Sequence, residues 1–258
     1  MPFIYGQNKV LTELEYLSKA KINRNILFIG NSGYGKNLIA EYLLYLQGIE
    51  NKDVFYYVGM PPVLSFGKKK YVFLDEIHLI KEYEPLYPFM DSGEYFFVFA
   101  TNLYDNLPEA FVRRCICFFL EPYSEDELIK IASDYFSDNN IKLSYEVLRE
   151  IVLSSKDSPG FLVKLCERLV YIFKNSFLPK DKEETNEILN TFLGIKNGLD
   201  LQDGLYLTTL KNLGGVASLD RIIFSSNLPR KVVQVIESHL LKKGLIRISS
   251  KGRTYVGQ

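Results

Sequence analysis

The pattern of apolar and polar positions changes character near Pro122. Before it, unbroken apolar runs at 26–29, 71–74 and 95–100 have the pattern of strands covered on both faces. Shorter runs at 53–58 and 115–120 predict two further strands. Between them apolar residues recur at helical spacing: Val10, Leu11, Leu14 and Leu17 predict a helix over 9–20. Others are expected at 38–47, around 79–90 and, briefly, at 106–114. Strands alternating with helices predict an α/β domain, 1–122, built on a parallel sheet with polar groups at the strands' carboxyl ends. After Pro122, Ser124-Glu125-Asp126-Glu127 is a helix-start signal with acids in the first turn. Only helices are expected from there: 125–137, 144–154, 159–175 and 183–192, in an all-α segment, 123–193. Gly194 and Gly198 mark a linker into a third module, 194–258. It is read as helices at 201–212, 218–224 and 229–243, then a ribbon of 245–248 and 254–256.

Composition changes this picture little. The chain has 258 residues, enough for a sizeable core, and its 47% hydrophobic and 24% charged content is ordinary for a soluble globular protein. Formal net charge is zero, so any nucleic-acid surface must be local. One such surplus exists: residues 221–258 hold eight lysines and arginines against the single acid Glu237. Arg230, Lys231, Arg247, Lys251 and Arg253 are the expected phosphate contacts of a small helical module with a basic tip. A protein-binding module with a solvated basic face is the alternative. The three cysteines have neither a disulfide framework nor zinc spacing. With no signal pattern and no membrane-length apolar run, a cytoplasmic protein without membrane partners is expected.

Chemistry concentrates where the first apolar run ends. Gly30-Asn31-Ser32-Gly33-Tyr34-Gly35-Lys36-Asn37 follows it, and a helical pattern begins at Leu38. Strand, glycine loop and helix start are the context that makes Gly-x-x-x-x-Gly-Lys a phosphate cradle. Glycines let the backbone approach an anion closely, backbone N–H groups face it, and Lys36 adds a point charge. Asn37 stands where a magnesium-binding hydroxyl is usual. Asp75-Glu76, ending the 71–74 run, is the partner such a loop calls for: Asp75 for Mg²⁺, Glu76 to polarise the attacking water. Asn102, ending the next run, is placed to orient that water. Arg113 and Arg114 sit where a short helix enters the fifth strand, a position for a cation facing a neighbour's nucleotide. His78 is expected to be structural or to support the acids rather than to ligate metal.

Together these residues resemble AAA+ ATPases and, among them, the RuvB family of Holliday-junction branch-migration motors. Ile4-Tyr5-Gly6-Gln7 is similar to that family's adenine-side box. Leu74-Asp75-Glu76-Ile77-His78 is similar to its Walker B wording, and Ala100-Thr101-Asn102 falls at sensor 1. Val112-Arg113-Arg114-Cys115 resembles its arginine-finger segment and the clamp-loader motif, which puts the finger on Arg114. Gly214-Gly215-Val216 and 242–253 resemble its winged helix. The resemblance implies an AAA+ α/β domain, a helical lid and a C-terminal winged helix on DNA. It also implies ATP or ADP with Mg²⁺ on Asn37 and Asp75, and a homo-oligomeric ring, hexameric in the family pattern. The nucleotide set is then Ile4, Tyr5, Gly30, Asn31, Ser32, Gly33, Tyr34, Gly35, Lys36, Asn37 and Leu38, with Glu76, Asn102 and Arg114 catalytic. Ser158-Pro159-Gly160 stands where the family has Thr-Pro-Arg, so Lys164, one turn on, is the replacement phosphate contact. The chain is also too short between Met90 and Tyr95 for the hairpin that engages RuvA. The expectation is a slowly hydrolysing motor, or loader of a replication or recombination protein, that works without RuvA. A nucleotide-binding subunit with little turnover is the alternative.

Overall fold

The computed structural model describes residues 4–20 and 24–256, with backbone alone at Lys231. It divides into two compact units. The first holds the chain up to Ile131 together with 158–160; the second holds 132–157 and everything from Phe161 on.

In the first unit, helix α1 (Asn8–Lys19) precedes strand β1 (Asn25–Ile29), and helix α2 (Lys36–Leu46) starts on the lysine of the glycine loop. Strands β2 (Val54–Val58) and β3 (Tyr71–Asp75) follow. Helix α3 (Tyr87–Asp91), strand β4 (Phe96–Thr101), helix α4 (Glu109–Val112) and strand β5 (Cys115–Phe119) complete the sheet. Its order is β2-β3-β4-β1-β5, every pair parallel. Neighbours that are not consecutive need crossovers; α2 lies in the one between β1 and β2 and packs with α1 on one face of the sheet. The unbroken apolar runs are explained by burial on both sides. Ile26 and Phe28 pack in the cluster with Leu14, Ile39 and Leu43, while Leu27 and Ile29 face the one with Leu86, Phe99 and Phe111. Each fully buried residue of this size contributes roughly 1.5–3 kcal/mol.

Two expected helices are corrected. The stretch around 79–90 is not one helix: 3₁₀ turns at Ile77–Leu79 and Glu84–Leu86 precede the short α3. Pro85 and Pro88 each lack the N–H a continuous helix needs and are tolerated only at the starts of short turns. Likewise 106–114 reduces to α4 after a 3₁₀ turn at Tyr104–Asn106.

Helix α5 (Glu125–Asp138) leads from the first unit into the second. The latter contains α6 (Tyr145–Leu153), most of α7 (Pro159–Asn175) and α8 (Lys182–Leu193). Helix α9 (Leu201–Asn212) opens the tail, with α10 (Leu219–Ser226) and α11 (Arg230–Lys242) behind it. The ribbon is three-stranded rather than two-stranded: β6 (Val216–Ala217) pairs with β8 (Gly252–Tyr255), which pairs with β7 (Ile246–Ser249). Two residues are too few to read as a strand by alternation. Gly252 lets β6 in: a Cβ there would lie 2.5 Å from the carbonyl oxygen of Ala217.

Helical lid and tail are joined by buried charge. After α6, Lys156 and Asp157 take positive φ of 55° and 53°, uncommon for side chains larger than glycine. The Lys156 ammonium then lies 2.7 Å from Asp200 and 3.0 Å from Asp203, whose side chain is fully buried. Both acids also form the capping box of α9. Asp157 pairs with Lys242 at 2.7 Å. The buried His239 ring meets the Gly198 carbonyl at 3.0 Å, and burial lowers its pKa.

Candidate functional site

The sheet order brings the glycine loop beside the polar ends of β3 and β4. Gly30 N–H donates to the carbonyl of Thr101 at 3.1 Å, tying the loop to β4, and β4 pairs with β3 on its other side. Gly33 and Gly35 have φ of 82° and 83°, as the tight loop requires. Lys36 is buried and its ammonium donates to the carbonyls of Gly30 (2.8 Å) and Asn31 (3.1 Å). Burial lowers its pKa, opposed by the negative charges of Glu76 and Asp75. Asn31, Ser32 and Asn37 are exposed, and Leu38 is half-buried.

The glycine at 160 has a steric reason. Gly160 N–H donates to the Gly33 carbonyl at 2.9 Å, and a Cβ on residue 160 would sit 2.9 Å from the Gly33 Cα. Backbone meets backbone, and no side chain fits. Lys164 lies on α7 in the second unit.

Asp75 is buried and fully engaged. Its Oδ1 accepts the Glu76 N–H at 2.8 Å and its Oδ2 accepts Asn37 Nδ2 at 2.9 Å. The Tyr56 hydroxyl stands 3.5 Å from the same Oδ2. Asn37 was expected as a metal ligand beside Asp75; its amide is instead a donor to that carboxylate. Facing Asp75 with the oxygen end would set two acceptors together, so the donor end must point there.

Glu76 has φ 49°, a left-handed conformation that turns its side chain off the strand direction. Its carboxylate lies 3.2 Å from His78 Nε2, and His78 Nδ1 lies 3.1 Å from the Thr101 hydroxyl, which accepts the Leu103 N–H at 3.0 Å. The side chain of His78 is 3% exposed, so it buttresses Glu76 as a supporting residue. Asn102 Oδ1 is a buried acceptor with no hydrogen-bond partner among the described residues. An acceptor there suits a water, not a phosphate oxygen.

At the amino-terminal box, Gln7 Nε2 donates to the Glu121 carbonyl (2.7 Å) while its Oε1 accepts the Glu121 N–H (2.9 Å), clipping 4–7 to the segment after β5. Ile4 packs on the core beside the buried Tyr34, and Tyr5 is half-buried. Tyr123, which the sequence did not single out, donates its hydroxyl to the Tyr34 carbonyl at 3.2 Å. Its position just after Pro122 was the available signal. Tyr56 had none, because strand register is not written in the sequence.

The cradle of glycine backbone and the buried lysine fit the phosphates of a nucleotide, and the orphaned Asn102 oxygen fits a water beside them. The surroundings of Asp75 fit Mg²⁺ poorly, because both carboxylate oxygens already accept hydrogen bonds, Oδ2 from the Asn37 amide.

Arg114 is held in three ways: Nε donates to both Asp91 carboxylate oxygens (3.0 and 3.1 Å), Nη1 donates to the Ala110 carbonyl (2.7 Å), and the guanidinium lies 4.4 Å from the Tyr87 ring centroid. Among the described residues Arg113 pairs only with exposed Glu109, one turn away.

In the tail, the basic residues divide. Arg230 pairs with Asp220. Arg247 and Lys251 are exposed and have no ion pair among the described residues, and the Lys231 side chain lies outside them. Arg253 differs from expectation: it grips Glu237 with Nε (2.8 Å) and Nη2 (3.2 Å), and Glu237 also accepts the buried Tyr206 hydroxyl at 2.9 Å. Register explains this. Arg253 opposes Ile248 and Arg247 opposes Thr254, so the ribbon's two-residue period puts the arginines on opposite faces. We therefore expect Arg253→Ala to destabilise the second unit by about 3–5 kcal/mol in urea unfolding. Arg247→Ala or Lys251→Ala should leave stability alone and lower the salt slope of DNA binding by about 1 each.

Comparison with known proteins is consistent with both units. A family profile described as the RuvB C-terminal winged helix domain matches residues 196–256. The Holliday junction branch migration complex subunit RuvB of Mycoplasma pneumoniae is 23% identical over 96% of this chain and 91% of its own length. DNA polymerase III subunit gamma of Buchnera aphidicola is 24% identical over 47% of this chain. The structure of the Thermotoga maritima RuvB Holliday junction branch migration motor superposes with a TM-score of 0.82 at 21% identity, over 98% of this chain and 92% of that one. One likeness is confined to the tail and the other spans nearly the whole chain; they converge on RuvB-type AAA+ proteins as what this chain is similar to, in fold from end to end and in sequence at its winged helix.

Proposed function

We propose that this chain is an ATPase subunit that acts on branched or duplex DNA, in the manner named for its RuvB relatives. The observation that carries the reading is the joining, in one chain, of a RuvB winged helix to a sheet whose carboxyl edge gathers Lys36, Asp75, Glu76 and Asn102. Bound nucleotide supplies the phosphoanhydride. Gly30 to Leu38 and Lys36 hold the phosphates. Glu76, braced by His78, accepts the proton of the attacking water, and Asn102 Oδ1 accepts that water's other hydrogen bond. Arg114, preset by Asp91 and Tyr87, serves a neighbouring subunit in a ring and stabilises charge there. Lys164 is a phosphate contact in the same proposal. Independence from RuvA is supported by the short turn from Asp91 to Phe96, which holds no hairpin. The test is ATP hydrolysis with Mg²⁺, with and without branched and linear DNA. No hydrolysis under all these conditions would overturn the ATPase reading.

A second reading, nucleotide-dependent assembly with little turnover, is favoured by the Asn37–Asp75 bond and by Gly160. If Asn37 limits the rate, Asn37→Thr should raise turnover by about tenfold, the scale of effects from residues next to a metal site. Unchanged turnover would exclude Asn37 as the brake.

A further inference from the structure

The donor facing Asp75 comes from the position where this chain departs from the usual hydroxyl. A serine or threonine hydroxyl is donor and ligand in one atom: it can give its proton to a carboxylate while a lone pair faces a cation. A carboxamide divides those roles between two atoms. With Nδ2 on Asp75 at 2.9 Å, Asn37 presents N–H groups, which repel a cation, toward the oxygen a metal would take. Direct ligation at Oδ2 would break that bond, and Mg²⁺ demands near-ideal octahedral geometry and sheds water reluctantly.

Tyr56 adds to this from the neighbouring strand. It is in register with Phe73, and Phe73 and Asp75, two residues apart, share a face of the sheet. The Tyr56 ring meets Phe73 edge-on at 5.3 Å, and its hydroxyl extends toward Asp75 Oδ2. Asp75 therefore needs no cation to be satisfied in the folded chain, in contrast to a carboxylate whose neighbours leave its oxygens bare.

Building on the nucleotide-binding reading above, we propose that Asn37 and Tyr56 hold Asp75 in place of a cation, so that nucleotide binds this loop in a metal-sparing way. Lys36 and the loop's backbone N–H groups carry the attraction for phosphate, and magnesium adds little to affinity. Tyr56 is here a positioning residue, acting only through Asp75.

The experiment is an equilibrium titration of the full chain with a fluorescent ADP analogue, in millimolar Mg²⁺ and in EDTA. The wild-type affinities should agree within about threefold, whereas Asn37→Thr should bind about tenfold or more tightly with Mg²⁺ than without. Tyr56→Phe should fall between them. Asn37→Asp, which sets two carboxylates side by side, should bind appreciably only when Mg²⁺ is present. A tenfold magnesium dependence in the wild type, or a threonine variant that behaves like it, overturns the proposal. Tyr56→Phe indistinguishable from wild type removes Tyr56 from it. Absence of binding in either buffer instead sinks the nucleotide reading itself, so the two failures are distinguishable.

Discussion

Glu76→Gln is expected to lower ATP turnover by about 10²–10⁴-fold, the usual contribution of a positioned general base, while nucleotide affinity stays unchanged. The amide retains the shape of the side chain and its place beside His78 Nε2, which lies 3.2 Å from the carboxylate in the wild type. What it loses is the capacity to take a proton. Phosphate contacts lie elsewhere, on Lys36 and the glycine loop, so binding is insulated from the change. Stopped turnover with intact binding in a single-turnover assay supports the assignment. A parallel loss of affinity would mean that Glu76 holds the nucleotide rather than the water. His78→Ala should give a milder version of the same effect, because it removes the brace and leaves the base.

The second large effect concerns stability. Lys156→Met should destabilise the second unit by about 3–5 kcal/mol, since it leaves two acids without their cation and one of them fully buried. Burial raises the pKa of Asp203, against the pull of Lys156. For Asp200, burial also pushes upward, but hydrogen bonds from Lys156 and the Asp203 backbone outweigh it and the pKa falls. Without Lys156 both acids have only their capping-box backbone bonds to set against burial. Adding Asp203→Asn to Lys156→Met should recover part of the loss, because an uncharged amide tolerates burial better. The chain has no tryptophan, so far-UV circular dichroism in urea is the suitable readout. A single variant as stable as the wild type would show that water, not lysine, serves the two acids.

What was legible in the sequence follows from what is local. The strands β1, β3 and β4 announce themselves because both faces are covered, and the glycine loop because each of its residues has a local backbone task. Helix boundaries after Pro122 were read to within a residue or two from acids, caps and spacing. The stretch 79–90 misled because its apolar spacing is helical while Pro85 and Pro88 forbid the hydrogen bonds. Arg253 misled because a charge count ignores parity: two residues of turn decide which face an arginine takes. Asn37 was recognised as irregular, but its partner was not, since that depends on where α2 lies against β3. The Gly160 contact with Gly33 was illegible for the same reason, being an approach of segments more than a hundred positions apart.

The lysine at 156 also bears on how this protein can be taken apart. The profile of its tail begins at residue 196, and cutting there is the obvious way to make a free-standing DNA-binding piece. Such a piece would keep Asp200 and Asp203 but leave behind their cation, and keep Lys242 without Asp157. Grafting a relative's tail onto this lid would fail in the same way unless residues 156 and 157 travelled with it. The heritable module is therefore larger than the recognisable domain, and its boundary runs through a loop in the lid.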